Sequence, residues 1–265
     1  MPKVKLKDIS LYYEVHGSGA PLLLISGLGA DSSSWAGVVG KLSSHFTTIL
    51  FDNRGTGRSG NMQKPYTVRR MADDAVKLLD HLKIERAHVI GHSMGGYIAQ
   101  EIAINHPERV NKLVLEGTAP VSSKRNNALF HEFYKKLREK ENFGDWIRAW
   151  TFWIFSRKTF ASGSFVENFI KFAAEYPYPV SADTFKSQIK AIASFDTRDG
   201  IGSIKAKTLI LAGKGDILIT PEESGILAKS IHKSVFRLID CAAHSMHVED
   251  PKLFTGIVLE FLGID

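Results

Sequence analysis

A single cysteine, Cys241, stands in a chain of 265 residues. One thiol closes no disulfide within the chain and supplies no cysteine-rich zinc site, so the fold rests on its own packing. Long apolar runs are missing too. The longest early run, residues 22–25, is far short of the roughly 20 residues that cross a bilayer. The opening stretch from Met1 to Asp8 alternates lysines with apolar residues. It carries no hydrophobic core segment and no small-residue cleavage site, which points to a cytoplasmic protein. Lysines and arginines number 34 against 28 acids, a net charge of +6, without the dense basic tract that marks a nucleic-acid groove. The ten histidines include no His-Glu-x-x-His or comparable spacing, so no metal is expected.

What is present is apolar material for a large core. Hydrophobic residues make up 44% of the chain, enough for one α/β domain or one domain with an insertion. Composition leaves the oligomeric state open. Residues 4–7 and 11–15 alternate or are β-branched and aromatic, and read as strands. Residues 21–26, 47–52, 88–90, 113–115, 208–211 and 235–239 are continuous apolar runs, as strands covered on both faces look. Helical stripes fall between them at residues 71–82, 95–105, 221–231 and 251–262, the last two opening on Pro221 and Pro251. Such alternation predicts a mostly parallel, doubly wound α/β sheet with helices on both faces.

Residues 118–200 break the pattern. No buried strand appears there, only helical stripes rich in aromatics: Leu129, Phe130, Phe133, Tyr134 and Leu137; Trp146, Ile147, Trp150, Trp153 and Ile154; Phe165, Phe169 and Ile170. The expectation is a helical cap inserted into a core formed by residues 1–117 and 201–265. Such stripes are more often plain packing core. The segment holds 13 Lys/Arg and 9 Asp/Glu, so much of the net positive charge lies here. Lys124, Arg125, Lys135, Lys136, Arg138 and Lys140 crowd its first helix. A solvated face explains them; a dock for an acidic carrier protein or a substrate carboxylate is the sharper reading.

The feature with most chemistry is Gly91-His92-Ser93-Met94-Gly95-Gly96. It follows one buried strand and opens a buried helix, the context in which Gly-x-Ser-x-Gly presents a nucleophile. Glycines on either side relieve crowding at the turn, and the Met94 N–H at the helix start faces any oxyanion formed there. A serine needs a base, and the base an orienting acid. Asp216 and His244 each follow a later strand, giving the chain order Ser93, Asp216, His244. A decoy is set aside: Gly55-Thr56-Gly57-Arg58-Ser59-Gly60 spells a dinucleotide fingerprint, but residues 61–65 read as loop and Asp80 falls inside a helix. No cofactor is expected.

Together these motifs resemble the α/β-hydrolase fold family, in particular its serine esterases and the 3-oxoadipate enol-lactonase group. Asp52-Asn53-Arg54-Gly55-Thr56-Gly57-Arg58-Ser59 is similar to the family's Asp-x-Arg-Gly-x-Gly-x-Ser loop. Gly27-Leu28-Gly29 resembles its His-Gly-x-Gly oxyanion loop, with Ser26 in place of the histidine. The resemblance implies Leu28 N–H as the second oxyanion donor beside Met94 N–H. His244, with Glu249 and Pro251, matches the family's His-x-x-x-x-Glu-x-Pro pattern, ahead of His247 and of His92, which on so tight a turn is expected to point away from its neighbour Ser93. Asp216 is the favoured acid and Glu116 a second candidate. A serine nucleophile disfavours dehalogenase and epoxide-hydrolase readings, which need a carboxylate there. The implied reaction is hydrolysis of a small carboxylic ester or lactone through an acyl-enzyme. Carrier-protein methyl-ester cleavage, C–C bond hydrolysis and a non-enzymatic ligand receptor on the same fold stay open.

Overall fold

The computed structural model describes residues 2–60, 65–139 and 142–264. Residues 61–64 of the loop expected at 61–65, and Lys140 of the basic cluster, lie outside them. The strands are β1 (Lys3–Lys5), β2 (Ser10–His16), β3 (Ala20–Ile25), β4 (Phe46–Phe51), β5 (Ala87–His92), β6 (Val110–Glu116), β7 (Lys207–Gly213) and β8 (Ser234–Ile239). They form one sheet in the order β1-β2-β4-β3-β5-β6-β7-β8. β1 and β2 pair antiparallel; from β4 to β8 every pairing is parallel. Chain order reverses direction between β3 and β5, the point where ligands bind in open α/β sheets.

The continuous apolar runs now have a physical reason. Leu23 and Ile25 join one core with Val89 and Leu113, while Leu22 and Leu24 join a second with Ile90 and Val114. Neighbouring residues point to opposite faces, and both faces are covered. β8 departs from that expectation. Val235, Phe236 and Leu238 are exposed, because β8 is the sheet's edge and, among the described residues, pairs only with β7.

The helices are α1 (Ala36–Ser43), α2 (Val68–His81), α3 (Met94–Asn105), α4 (Lys124–Arg138), α5 (Phe143–Ile154), α6 (Arg157–Ala161), α7 (Ser164–Glu175), α8 (Ala182–Ala193), α9 (Pro221–Ser230), α10 (Met246–Glu249) and α11 (Pro251–Leu262). Local chemistry sets several ends. Thr220 and Glu223 form a reciprocal capping box at α9. Asp250 caps α11, and Gly263 ends it in the left-handed conformation at φ 92°. Helices α4–α8 lie between β6 and β7 and are bonded to the sheet's loops. Asn126 Nδ2 donates to Leu218 O (2.7 Å), Tyr176 O–H to Asp31 Oδ2 (2.8 Å), and Gly29 N–H to Gln188 Oε1 (2.9 Å). Among the described residues, no helix is long and apolar enough to cross a membrane.

α3 meets the sheet at backbone distance. A Cβ at Gly95 would lie 2.0 Å from Ile25 O and 2.9 Å from Ser26 O, both main-chain atoms of β3 and the loop after it. Neither is the free end of a side chain, so the helix itself would have to move. Gly95→Ala is expected to destabilise the fold by about 3 kcal/mol or more, or to abolish folding. Gly225→Ala, in α9 with nothing within 4 Å, is expected to stabilise by about 0.5–1 kcal/mol. Thermal melts of the pair decide the point. Equal small shifts would mean that α3 does not depend on this close approach.

Candidate active site

The turn between β5 and α3 carries Ser93. Its backbone, at φ 54° and ψ −117°, lies where a side chain is strained, at a cost of order 1–3 kcal/mol. Neighbouring bonds hold it there: Ser93 N–H donates to Glu116 O (2.9 Å), and Thr118 Oγ1 donates to Ser93 O (3.0 Å). A Cβ at Gly91 would sit 2.3 Å from Gly95 O, so both flanking glycines are sterically required.

Asp216, after β7, and His244, after β8, meet each other. His244 Nδ1 lies 2.8 Å from Asp216 Oδ2, and both residues are buried. Asp216 Oδ1 accepts from Leu218 N–H and Ile219 N–H, each at 2.9 Å, which fixes the carboxylate's orientation. Burial alone would lower the His244 pKa. The charge and hydrogen bond of Asp216, with Glu116 and Glu249 behind it, outweigh that effect and raise it above the ordinary imidazole value.

Gly27-Leu28-Gly29 follows β3 and comes up against the serine: a Cβ on Gly27 would lie 3.3 Å from Ser93 Cβ. Met94 is the first residue of α3, so its N–H is one of the helix's orphan donors. Ser26 Oγ donates to Asp31 O (2.8 Å), and Asn53 Nδ2 donates to Ser26 O (3.0 Å). These bonds brace the loop where the family's histidine would stand.

Of the competing residues, Glu116 reaches His247 rather than His244. His247 Nδ1 lies 3.0 Å from Glu116 Oε1, which also accepts from His247 N–H at 3.0 Å. The Trp35 ring lies over His247 with centroids 4.4 Å apart. His92 does not face away from the site: its Nε2 lies 3.1 Å from the His244 carbonyl oxygen. A carbonyl only accepts, so the Nε2–H tautomer donates. Burial first, then the neighbouring His247 and His244, push the His92 pKa well down, which keeps the ring neutral. His92, Glu116 and His247 are also the one group among the described residues whose ligand atoms, within 4.8 Å of one another, could hold a metal. No spacing rule finds it, since its members come from two strand ends and α10.

Two motif residues turn out to be braces. Glu249 Oε1 accepts from Ala243 N–H (3.0 Å), and Oε2 accepts from Ser156 N–H (2.7 Å), tying the His244 loop to the start of α6. Asp52 is fully buried and binds Arg58 through two oxygens, with Nε–Oδ2 at 2.8 Å and Nη2–Oδ1 at 2.9 Å. That pair locks the Gly-rich loop as a structural buckle.

Ser93 and His244 both open into a cavity of about 590 Å³. Gly27 to Asp31 line its floor, and side chains of α4, α5 and α7 line its walls. A pocket of that size fits a drug-sized organic molecule, typically held in about 300–1,000 Å³.

Comparison with known proteins agrees with this fold. A family model described as the alpha/beta hydrolase fold matches residues 20–251. A protein of Azorhizobium caulinodans with the provisional name carbamate hydrolase RutD is 31% identical over 266 residues, covering 99% of this chain and 98% of its own. The crystal structure of an enol-lactonase from Burkholderia xenovorans LB400 superimposes with a TM-score of 0.89 at 29% identity, covering 98% of this chain and 99% of that one. A thermophilic esterase from Thermogutta terrifontis gives 0.88 at 26% identity, covering 99% and 98%.

Proposed function

The chain belongs to the α/β-hydrolase fold family, and from that premise we propose that it is a serine hydrolase cleaving a small carboxylic ester or lactone through an acyl-enzyme. The observation that carries the reading is the 2.8 Å contact of Asp216 with His244, a ring that opens together with Ser93 into one cavity. Ser93 Oγ attacks the carbonyl carbon while His244 Nε2 takes its proton. Asp216 holds the imidazole in the tautomer that leaves Nε2 free to accept. The Leu28 and Met94 amides receive the tetrahedral oxyanion. The protonated imidazole gives its proton to the departing alkoxide, and water, deprotonated by the same ring, then releases the acid. Residues 118–200 serve as a helical cap over a core of residues 1–117 and 201–265. A carbamate is a second reading, favoured by the Azorhizobium relative, since its carbonyl yields to the same attack.

Steady-state assays with p-nitrophenyl butyrate and a simple five-membered lactone test the proposal. Sustained turnover of at least one is expected. Failure on both, with ligand binding intact, would point to the receptor reading instead.

His244 works only when neutral, and its pKa is raised. The kcat/KM of such an ester should therefore rise with pH, reaching half its plateau above the ordinary imidazole value of 6.5. A profile with its midpoint below 6.5 would contradict the assigned partner.

A further inference from the structure

The walls of the cavity carry a second message. Trp146 and Trp150 of α5 and Phe169 of α7 face it and pack on further rings: Phe133 meets Trp150 edge-on at 4.6 Å, and Phe155 meets Phe169 at 5.0 Å. The polar handles of two lining rings are engaged by protein. Trp146 Nε1–H donates to Phe133 O (2.9 Å), and Tyr176 O–H donates to Asp31 Oδ2 (2.8 Å). Both rings thus offer carbon to the space. Phe172 and Tyr178 line the cavity yet are 57% and 37% exposed, so the mouth is aromatic as well.

Permanent charge on the described residues that line the cavity has one sign. Among the described residues lining it there is no lysine or arginine, and the one carboxylate is Asp31. The cation behind the wall, Arg58, stands 5.6 Å from the Tyr178 ring with its guanidinium bound by Asp52. The basic residues of α4 do not change this. Lys124, Arg125, Lys136 and Arg138 are exposed on the outer surface and none lines the cavity. At a pH above the His244 pKa, where that ring is neutral, a carboxylate entering this space would lose its hydration, find no lysine or arginine, and meet Asp31.

Building on the hydrolase reading, we propose that the substrate is a neutral ester or lactone whose long arm is apolar, and that the cavity excludes arms ending in a carboxylate. The net positive charge of the cap segment plays no part in recognising the substrate. Carboxylated lactones and small anions fall outside its range; alkyl or aryl arms of medium length fall within it.

The test compares p-nitrophenyl acetate, butyrate, hexanoate and octanoate with the mono-p-nitrophenyl ester of octanedioic acid, in which a carboxylate replaces octanoate's terminal methyl. kcat/KM is expected to rise about fourfold per methylene through at least hexanoate. The carboxylated ester should fall about 100-fold or more below octanoate. Tryptophan fluorescence titrations of the same protein with 2-decanone and 9-oxodecanoate read binding without turnover. The neutral ketone should bind and its carboxylated partner should not. A carboxylated ester turned over as well as octanoate, a preference for acetate, or equal binding of the two ketones would overturn the inference. If no ester were hydrolysed while 2-decanone alone bound, the hydrolase reading would fall and the account of the cavity would stand.

Discussion

Ser93→Ala is expected to lower kcat toward a reactive ester by about 10⁴–10⁶-fold and to leave the fold in place. That range corresponds to roughly 5–8 kcal/mol of transition-state stabilisation. The change is well suited to separating chemistry from folding. Ser93 makes no side-chain capping bond to α3, so removing its hydroxyl does not uncap the helix. The backbone at φ 54° is held by its neighbours' bonds and stays strained with either side chain. Thermal melting should therefore shift by no more than about 2 °C, a fraction of 1 kcal/mol for a domain of this size. Residual activity within tenfold of wild type would exclude Ser93 as the nucleophile.

The second large effect is Asp216→Asn, with an expected loss of about 10⁴ in kcat, the scale known for the equivalent change in serine proteases. An amide oxygen would keep the bonds from Leu218 N–H and Ile219 N–H. Its NH₂ would then face His244 Nδ1 as a donor. The ring would respond by carrying its proton on Nε2, the wrong tautomer to receive one from serine. Loss of the anion would also leave burial as the dominant influence on His244, pulling its pKa down. The residual activity of the variant should therefore show an acid limb shifted to lower pH than wild type. A small loss with an unshifted limb would mean that another carboxylate orients the ring. Glu116 is the one to examine then, although it holds His247 in this structure.

Much of this architecture was legible because the local signals agree. The sheet's buried strands announce themselves as runs such as Leu22-Leu23-Leu24-Ile25, whose alternate residues fill two different cores. α9 and α11 begin at the expected prolines, because Thr220 and Asp250 supply the caps. Strand-turn-helix context singled out Ser93, and strand ends singled out Asp216 and His244. Other elements lacked such signals. α1 is short and contains two glycines, so its apolar stripe is faint. α8 carries Phe185, Ile189 and Ile192 on one face, a stripe fainter than the aromatic ones that precede it. β8 reads as covered because periodicity reports apolar content and not position in the sheet. The bonds of His92 to the His244 carbonyl and of Glu249 to Ser156 join residues about 90 to 150 positions apart. Nothing in the local sequence announces such pairs, since only the folded sheet brings those loops together.

The account stands on a covalent bond formed at Ser93. The most direct measurement is titration of the wild-type protein with a p-nitrophenyl alkylphosphonate, followed by intact-mass and peptide mass spectrometry. One equivalent of p-nitrophenolate should be released as activity is lost, with the phosphonyl group found on the peptide that contains Ser93. A label on any other residue, or an enzyme that keeps its esterase turnover in excess phosphonate, would contradict the mechanism.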